Sequence, residues 1–481
     1  MSQIKFTAEQ KVAIPHLLQT PYAGLFLDPG MGKTLTIIET LNVLRAKKMH
    51  YHALIVSTLR AAQFVWGVEE GNEFDKWGYK FSRVLLWGAN KQKQWARILK
   101  DRPEVIVTNY ESLPFIAERW RDLKDLYRVQ VFDESTKVKT PRTLRSKCAA
   151  AIAPSAVRRI ILTGTPAPQG LIDLFGQAYV MDLGASLGKY ISNYRRTYFE
   201  PSGFPIYVPS MGRTIPSEWV PQADGEQRIL ARLSSSVVHF PDTTNHKLLP
   251  PKMLKIEVEL PKDIRAMYER EEAQVALALE EGKEVLTIAK ASTALSRIRQ
   301  IASGGIYLHE TNGGSRITKQ LHYAKAEAVA ELVESLQRKP LLVAYEFQHD
   351  LERLLAVLGK HTPFIGTKRD AEYMAAFNNG ELPVMLVQSS AVAHGVNLQK
   401  ACAHIAWHSL TYNLETYLQL NKRVHRLGQF RQVRIYHILA RGTCDEDIYT
   451  ALLGKHATQK AILKEFERAT MLRAKARGYK R

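Results

Sequence analysis

Two short segments of this chain combine residue types that handle phosphate. The first reads LFLDPGMGKTLTIIETLNVL and sets Gly30, Met31, Gly32, Lys33 and Thr34 between an apolar run and a helix-periodic run. Glycines in such a turn let successive N–H groups curl toward one anion at a helix N-terminus, a lysine reaches the β- and γ-phosphates, and a threonine hydroxyl can ligate Mg²⁺. The strict phosphate-loop pattern asks for glycine at the position of Leu27, so the form present is the shorter GxGKT. The second segment, Asp133-Glu134-Ser135-Thr136, closes the apolar run VQVF about one hundred residues later. A carboxylate at the C-terminal end of a strand beside a phosphate site can hold the Mg²⁺ shell, and the adjacent Glu can polarise an attacking water.

Two further segments carry supporting chemistry. Leu162-Thr163-Gly164-Thr165-Pro166 ends another strand-like run, and its hydroxyls are suited to sensing the nucleotide state. In QLNKRVHRLGQ, beginning at Gln419, Arg423 and Arg426 are three residues apart and would share one face of a helix. Two guanidinium groups presented together suit the charge that spreads over a transferring γ-phosphoryl group.

The elements that must position these groups are legible as alternation. Short β-rich runs, ALIVST (53 to 58), EVIVTNY (104 to 110), VQVFDE (129 to 134) and RRIILTGT (158 to 165), recur between helical patterns. A second series follows in MLKIEVEL (253 to 260), PLLVAY (340 to 345), PVMLVQSS (383 to 390), AHIAWHS (403 to 409) and VRIYHIL (433 to 439). Such alternation predicts an α/β fold with two parallel-sheet lobes. The stretch from about 177 to 250 is rich in Gly, Pro, Ser and Tyr and reads as an insertion plus linker, while the strongly helical pattern near 262 predicts a protrusion on the second lobe. The expected organisation is lobe 1 over 1–238 with an insertion over about 177–238, lobe 2 over 239–450 with a helical protrusion over about 262–318, and a basic tail over 451–481.

Composition narrows the partner. A chain of 481 residues exceeds one ordinary core, and Lys+Arg 67 against Asp+Glu 47 leaves a formal charge of +20, which favours a polyanion and nucleic acid over membrane. Cys148, Cys402 and Cys444 are far apart and form no CxxC pair, so neither a disulfide framework nor a cysteine zinc site is indicated. No apolar run approaches the roughly 20 residues of a membrane span, and the first residues lack a signal-peptide core. A reduced cytoplasmic setting fits these features, and a monomer is the expected state.

Taken in order, LDPGMGKT, VFDEST followed by Lys139, LTGTP, HGVNL (394 to 398) and QLNKRVHRLGQ resemble the motor of superfamily-two helicases, specifically the Swi/Snf-type ATPases in a minimal bacterial or phage form. The resemblance runs from Gln10 to about Ile448. It implies two RecA-like lobes with helical insertions and ATP bound between them. It further implies that Gln10 reads adenine, that Gly30, Met31, Gly32, Lys33 and Thr34 hold phosphate, that Thr34 and Asp133 hold Mg²⁺, that Glu134 orients water, and that Arg423 and Arg426 complete the site. Ser57, Thr58, Thr108 and Tyr110 resemble strand-contacting residues, and Thr163, Gly164, Thr165, Gly395, Asn397 and Gln419 fall in motifs that couple nucleotide to DNA.

The chain departs from the family pattern where Ser135 and Thr136 stand in place of the ending of DExH or DEGH, where Val392-Ala393 replaces a small-residue pair, and where Ser409 and Tyr412 replace a common Asp and Trp. The expected activity is a DNA-dependent ATPase that moves along or remodels duplex DNA. The alternatives are a strand-separating or branch-migrating helicase on forked DNA or RNA, and a non-catalytic nucleic-acid-binding scaffold.

Overall fold

A computed structural model describes residues 4–27, 30–68, 72–168, 170–202, 206–208, 213–215, 218–240, 248–281, 295–308, 317–367, 369–392, 398–426 and 428–454. The chain divides into two compact units, 1–244 and 245–481.

In the first unit, strands β1 (Tyr22–Leu27), β2 (Ala53–Ser57), β3 (Arg83–Leu86), β4 (Val105–Asn109), β5 (Val129–Asp133) and β6 (Arg158–Thr163) are followed by β7 (Phe199–Ser202), β8 (Ile206–Val208), β9 (Arg213–Ile215), β10 (Glu218–Pro221) and β11 (Val237–Phe240). Seven of them form one sheet in the order β11-β1-β6-β5-β2-β4-β3, every neighbouring pair parallel. Helices cover both faces of such a sheet, so its strands are apolar on both sides. Alternation along them divides two cores: Leu54, Val56, Ile106, Phe132 and Ile161 fall in one cluster, and Ile55, Val107, Val131, Ile160 and Leu162 in the other.

The insertion expected over 177–238 is woven into this unit. The helix Leu174–Asp182 packs on the core, β7 pairs with β10 and β8 with β9 as antiparallel hairpins, and β11 becomes the edge strand beside β1. The boundary expected at 238/239 therefore cuts through a strand, because β11 gains its hydrogen bonds from a partner more than two hundred residues earlier.

The second unit holds β12 (Lys252–Val258), the antiparallel hairpin β13 (Gly305–Leu308) and β14 (Ile317–Gln320), then β15 (Leu341–Tyr345), β16 (Val384–Gln388), β17 (His404–Trp407) and β18 (Arg434–Ala440). Its parallel sheet runs β12-β18-β17-β15-β16. The helix Lys262–Glu281 opens the expected protrusion, but that region closes with the β13–β14 hairpin, so it is not helical throughout. The basic tail beyond Gly454 lies outside the described residues.

Candidate nucleotide site

The phosphate loop joins β1 to the helix Lys33–Ala46, which is 14 residues long and starts from Gly32. Gly30 and Gly32 sit at φ 98° and 78°, backbone that only glycine adopts without strain. Asp28 and Pro29 lie outside the described residues. Lys33 Nζ donates to the Leu27 carbonyl at 2.6 Å, so the ammonium is folded over the loop mouth. Thr34 occupies the first helical turn and is half-buried, while Met31 is buried beneath the loop.

Gln10 braces this loop. Thr7 caps the helix Ala8–Gln19 through a reciprocal capping box in which Gln10 Oε1 accepts from the Thr7 backbone N–H at 2.9 Å. The other end of the same amide donates to the Gly32 carbonyl at 3.2 Å, and a Cβ at Gly32 would fall 2.2 Å from it.

Asp133 ends β5, and two donors from distant segments converge on its Oδ2: Ser57 Oγ and Trp66 Nε1, each at 2.8 Å. A third group, the Tyr110 hydroxyl, donates to the Asp133 carbonyl at 2.8 Å. Burial, reinforced by the charges of Asp133 and Glu134, raises the Tyr110 phenol well above its ordinary range, so it remains a neutral donor. Glu134 follows in left-handed backbone at φ 55°, ψ 56°, a conformation that costs a non-glycine residue roughly 1–2 kcal/mol and collects at functional turns.

Ser57, Thr108 and Tyr110, which resemble strand-contacting residues of the family, are buried, and each is engaged within the unit. Ser57 and Tyr110 hold Asp133, and Thr108 Oγ1 is committed to the Leu86 carbonyl across the sheet at 2.8 Å. The Thr58 and Thr165 hydroxyls are buried without a hydrogen-bond partner among the described residues. Thr163 Oγ1 accepts from the Thr165 backbone N–H at 3.1 Å, tightening the turn around Gly164.

In the second unit, Asn413 caps the helix Leu414–Asn421, and Gln419 on that helix donates to Glu415 at 3.1 Å. The helix ends at Asn421, so Arg423 and Arg426 do not share a helical face as their spacing predicts. Main-chain bonds there mix shorter turns, Arg423 N–H to Leu420, Val424 N–H to Asn421 and Gln429 N–H to Arg426, with one longer bond from His425 N–H to Asn421, winding both arginines into successive turns. Ser409, at the position of the common Asp, donates to Asp350 at 2.7 Å. Gly395 and Asn397 lie outside the described residues.

A glycine-rich loop ahead of a helix, with an acidic pair closing a strand of the same parallel sheet, is the arrangement characteristic of P-loop nucleoside triphosphatases. Residues 16–304 match the SNF2-related domain and residues 324–428 the helicase conserved C-terminal domain. The chain belongs to the SNF2-related family of helicase superfamily two, and is an ATP-binding, ATP-hydrolysing motor built on RecA-like α/β units. It is 30% identical over 473 residues to "Putative protein p41" of Acyrthosiphon pisum secondary endosymbiont phage 1, covering 95% of this chain and 98% of that one. "DNA annealing helicase and endonuclease ZRANB3" of Bos taurus is 26% identical across 87% of the chain, which spans 37% of that relative's length. "SWI/SNF-related matrix-associated actin-dependent regulator of chromatin subfamily A-like protein 1" of Xenopus tropicalis is 23% identical across 89%, and the chain spans 42% of it. Among solved structures, the Sulfolobus solfataricus SWI2/SNF2 ATPase core in complex with dsDNA aligns over 98% of this chain and 95% of that one, with 17% identity and a TM-score of 0.42.

Proposed function

We propose that this chain is an ATP-driven motor that grips duplex DNA and remodels forked or branched junctions. The observation that carries the ATPase half is the convergence of Ser57, Trp66 and Tyr110 on Asp133, in the same unit as the positive-φ phosphate loop. Both side-chain donors fall on one carboxylate oxygen, an arrangement that orients the other for a hard cation. Thr34 and Asp133 would hold Mg²⁺, whose bound form neutralises charge on the β- and γ-phosphates. Lys33 exchanges the Leu27 carbonyl for a phosphate oxygen, Glu134 orients the attacking water, and Gln10 links the start of the chain to the loop carbonyl of Gly32. Arg423 and Arg426 serve as the arginines of the γ-phosphoryl transition state.

The DNA half is supported by the formal +20 charge and by family membership, and the junction preference by the relatives described as annealing helicases, whose likeness covers most of this chain. The phage relative supports a place in the cytoplasm of an infected bacterium. Among the described residues, no helix is long and apolar enough to cross a membrane.

The test is ATP hydrolysis measured with single-stranded, duplex, forked and four-way DNA and with RNA, paired with branch-migration and triplex-displacement assays. Strongest stimulation by forked or four-way DNA, with branch movement, is the expected result. Equal stimulation by plain duplex, with triplex displacement and no branch movement, replaces the junction reading with simple translocation. Hydrolysis indifferent to every nucleic acid removes the DNA motor reading altogether.

A further inference from the structure

Ser135 follows the acidic pair directly, at the variable position of DExH, and its side chain has a specific partner. Ser135 is fully buried, and its hydroxyl donates to Gln177 Oε1 at 2.7 Å across 42 residues of sequence. The other end of that carboxamide donates to the Pro166 carbonyl at 2.6 Å and to the Asp173 carbonyl at 2.8 Å. Gln177 is itself fully buried. One rigid planar group therefore bridges the loop that follows Asp133-Glu134 and the loop Thr163–Pro166.

The helix carrying Gln177 is seated so that the bridge is short. Gly176 lies against the Ser135–Val138 turn so closely that a Cβ would stand 2.5 Å from the Val138 carbonyl and 2.3 Å from that of Lys139. Beside it, Lys139 Nζ pairs with Asp173 Oδ2 at 3.1 Å. A buried amide with each end committed is electrostatically stiff, because breaking either bond leaves a desolvated polar atom. Motion of one loop is then transmitted to the other with little slack, which a leucine of similar volume would not do.

We infer that Ser135 and Gln177 form a buried relay coupling the acidic loop to the Thr163–Pro166 loop, through which DNA accelerates ATP hydrolysis. The relay rests on the motor reading above. Both are positioning residues, since neither is placed at the reacting atoms. The chemistry stays with Glu134 and its neighbours, and the relay fixes where they stand when DNA is bound.

The experiment compares wild type with S135A, Q177L and S135A/Q177L in ATP hydrolysis, each with and without saturating forked DNA, together with KM for ATP and Tm. The DNA-stimulated rate should fall about tenfold, the size of effect that coupling residues produce, while the DNA-free rate and KM stay within about twofold. The double variant should be no worse than Q177L, because both changes break one connection. A proportional fall with and without DNA makes the pair simple packing and overturns the relay, as does full stimulation in a folded variant. If Q177L does not fold, S135A decides alone, because it removes a single hydroxyl. A wild type that no DNA stimulates overturns the motor reading itself, an outcome visible before any variant is compared.

Discussion

Replacing Gly176 with Ala tests the seating of the helix Leu174–Asp182 with a single methyl group. The new Cβ would lie 2.3 Å from the Lys139 carbonyl oxygen, 2.5 Å from that of Val138 and 2.6 Å from the Lys139 carbonyl carbon, all backbone atoms that cannot rotate away. Cβ contacts under 3.0 Å are essentially never observed, so the helix must retreat by at least about 0.7 Å. A retreat of that size stretches the 2.7 Å Ser135–Gln177 bond to the edge of hydrogen-bond geometry. Overpacking costs about 1–3 kcal/mol and the weakened bond about 1 kcal/mol, while alanine's helix propensity returns about 1 kcal/mol. The net loss of about 1–3 kcal/mol acts on a unit of 244 residues, where each kcal/mol moves Tm by roughly 2–4 °C. Calorimetry should therefore show a transition lowered by about 2–12 °C. The unit is identified by its upward shift with ATP. A G176A protein with unchanged Tm and unchanged DNA-stimulated hydrolysis would refute both the packing argument and the proximity it assigns to Ser135.

Four other outcomes follow from the same geometry. K33A should lose ATP binding and turnover together, whereas E134Q should keep ATP and DNA bound and lose hydrolysis by on the order of 10²-fold or more, as separated by equilibrium binding and single-turnover rates. R423A and R426A should each lower single-turnover hydrolysis by on the order of 10²-fold with a smaller effect on ATP affinity; a large affinity loss with normal hydrolysis of bound ATP contradicts their role. Burial holds the His322 and His437 imidazoles down to about 4 and that of His408 to about 3. All three stay neutral in the fold while the unfolded chain takes up protons near 6.5, so the second unit should lose stability as pH falls from about 6.5 toward 4, and a Tm flat across that window would count against it. Deleting residues 456 to 481, which include eight Lys or Arg against two Glu, should weaken DNA binding and flatten its salt dependence by about 0.9 for each phosphate that the tail had neutralised, read from binding isotherms at several salt concentrations.

Much of the sheet architecture was legible because buried parallel strands are written as local β-branched runs: ALIV, VIV, VQVF and RIIL all surface as strands of the first unit. Three features were not. β3, with only four residues in RVLL, is too short to stand out from its surroundings. β11 sits after a serine-rich stretch and is a strand only because β1 offers it an open edge, with Gly24 opposite Val237. The β13–β14 hairpin follows a strongly helical pattern, and nothing in local periodicity marks where helix gives way to pairing.

The candidate site divides along the same line. Residues whose chemistry follows from local spacing, Gly30 to Thr34 and Asp133-Glu134, could be read directly, because a turn before a helix and a carboxylate after a strand are short-range facts. The residues that fix Asp133 in place could not. Ser57 is 76 positions away and Trp66 is 67, and the tryptophan carries no catalytic signature at all. The spacing of Arg423 and Arg426 suggested a helix that in fact ends at Asn421, since a three-residue interval is shared by helices and by successive tight turns. Ser135 is the instructive case: beside the acidic pair it could be noticed but not interpreted. Its meaning depends on Gln177, and Gln177 reaches it only because Gly176, the preceding residue, has no side chain to keep the two segments apart. A polar residue in a motif is therefore informative in sequence, but the buried group that commits its hydrogen bond is found only once the helix that brings it is in place.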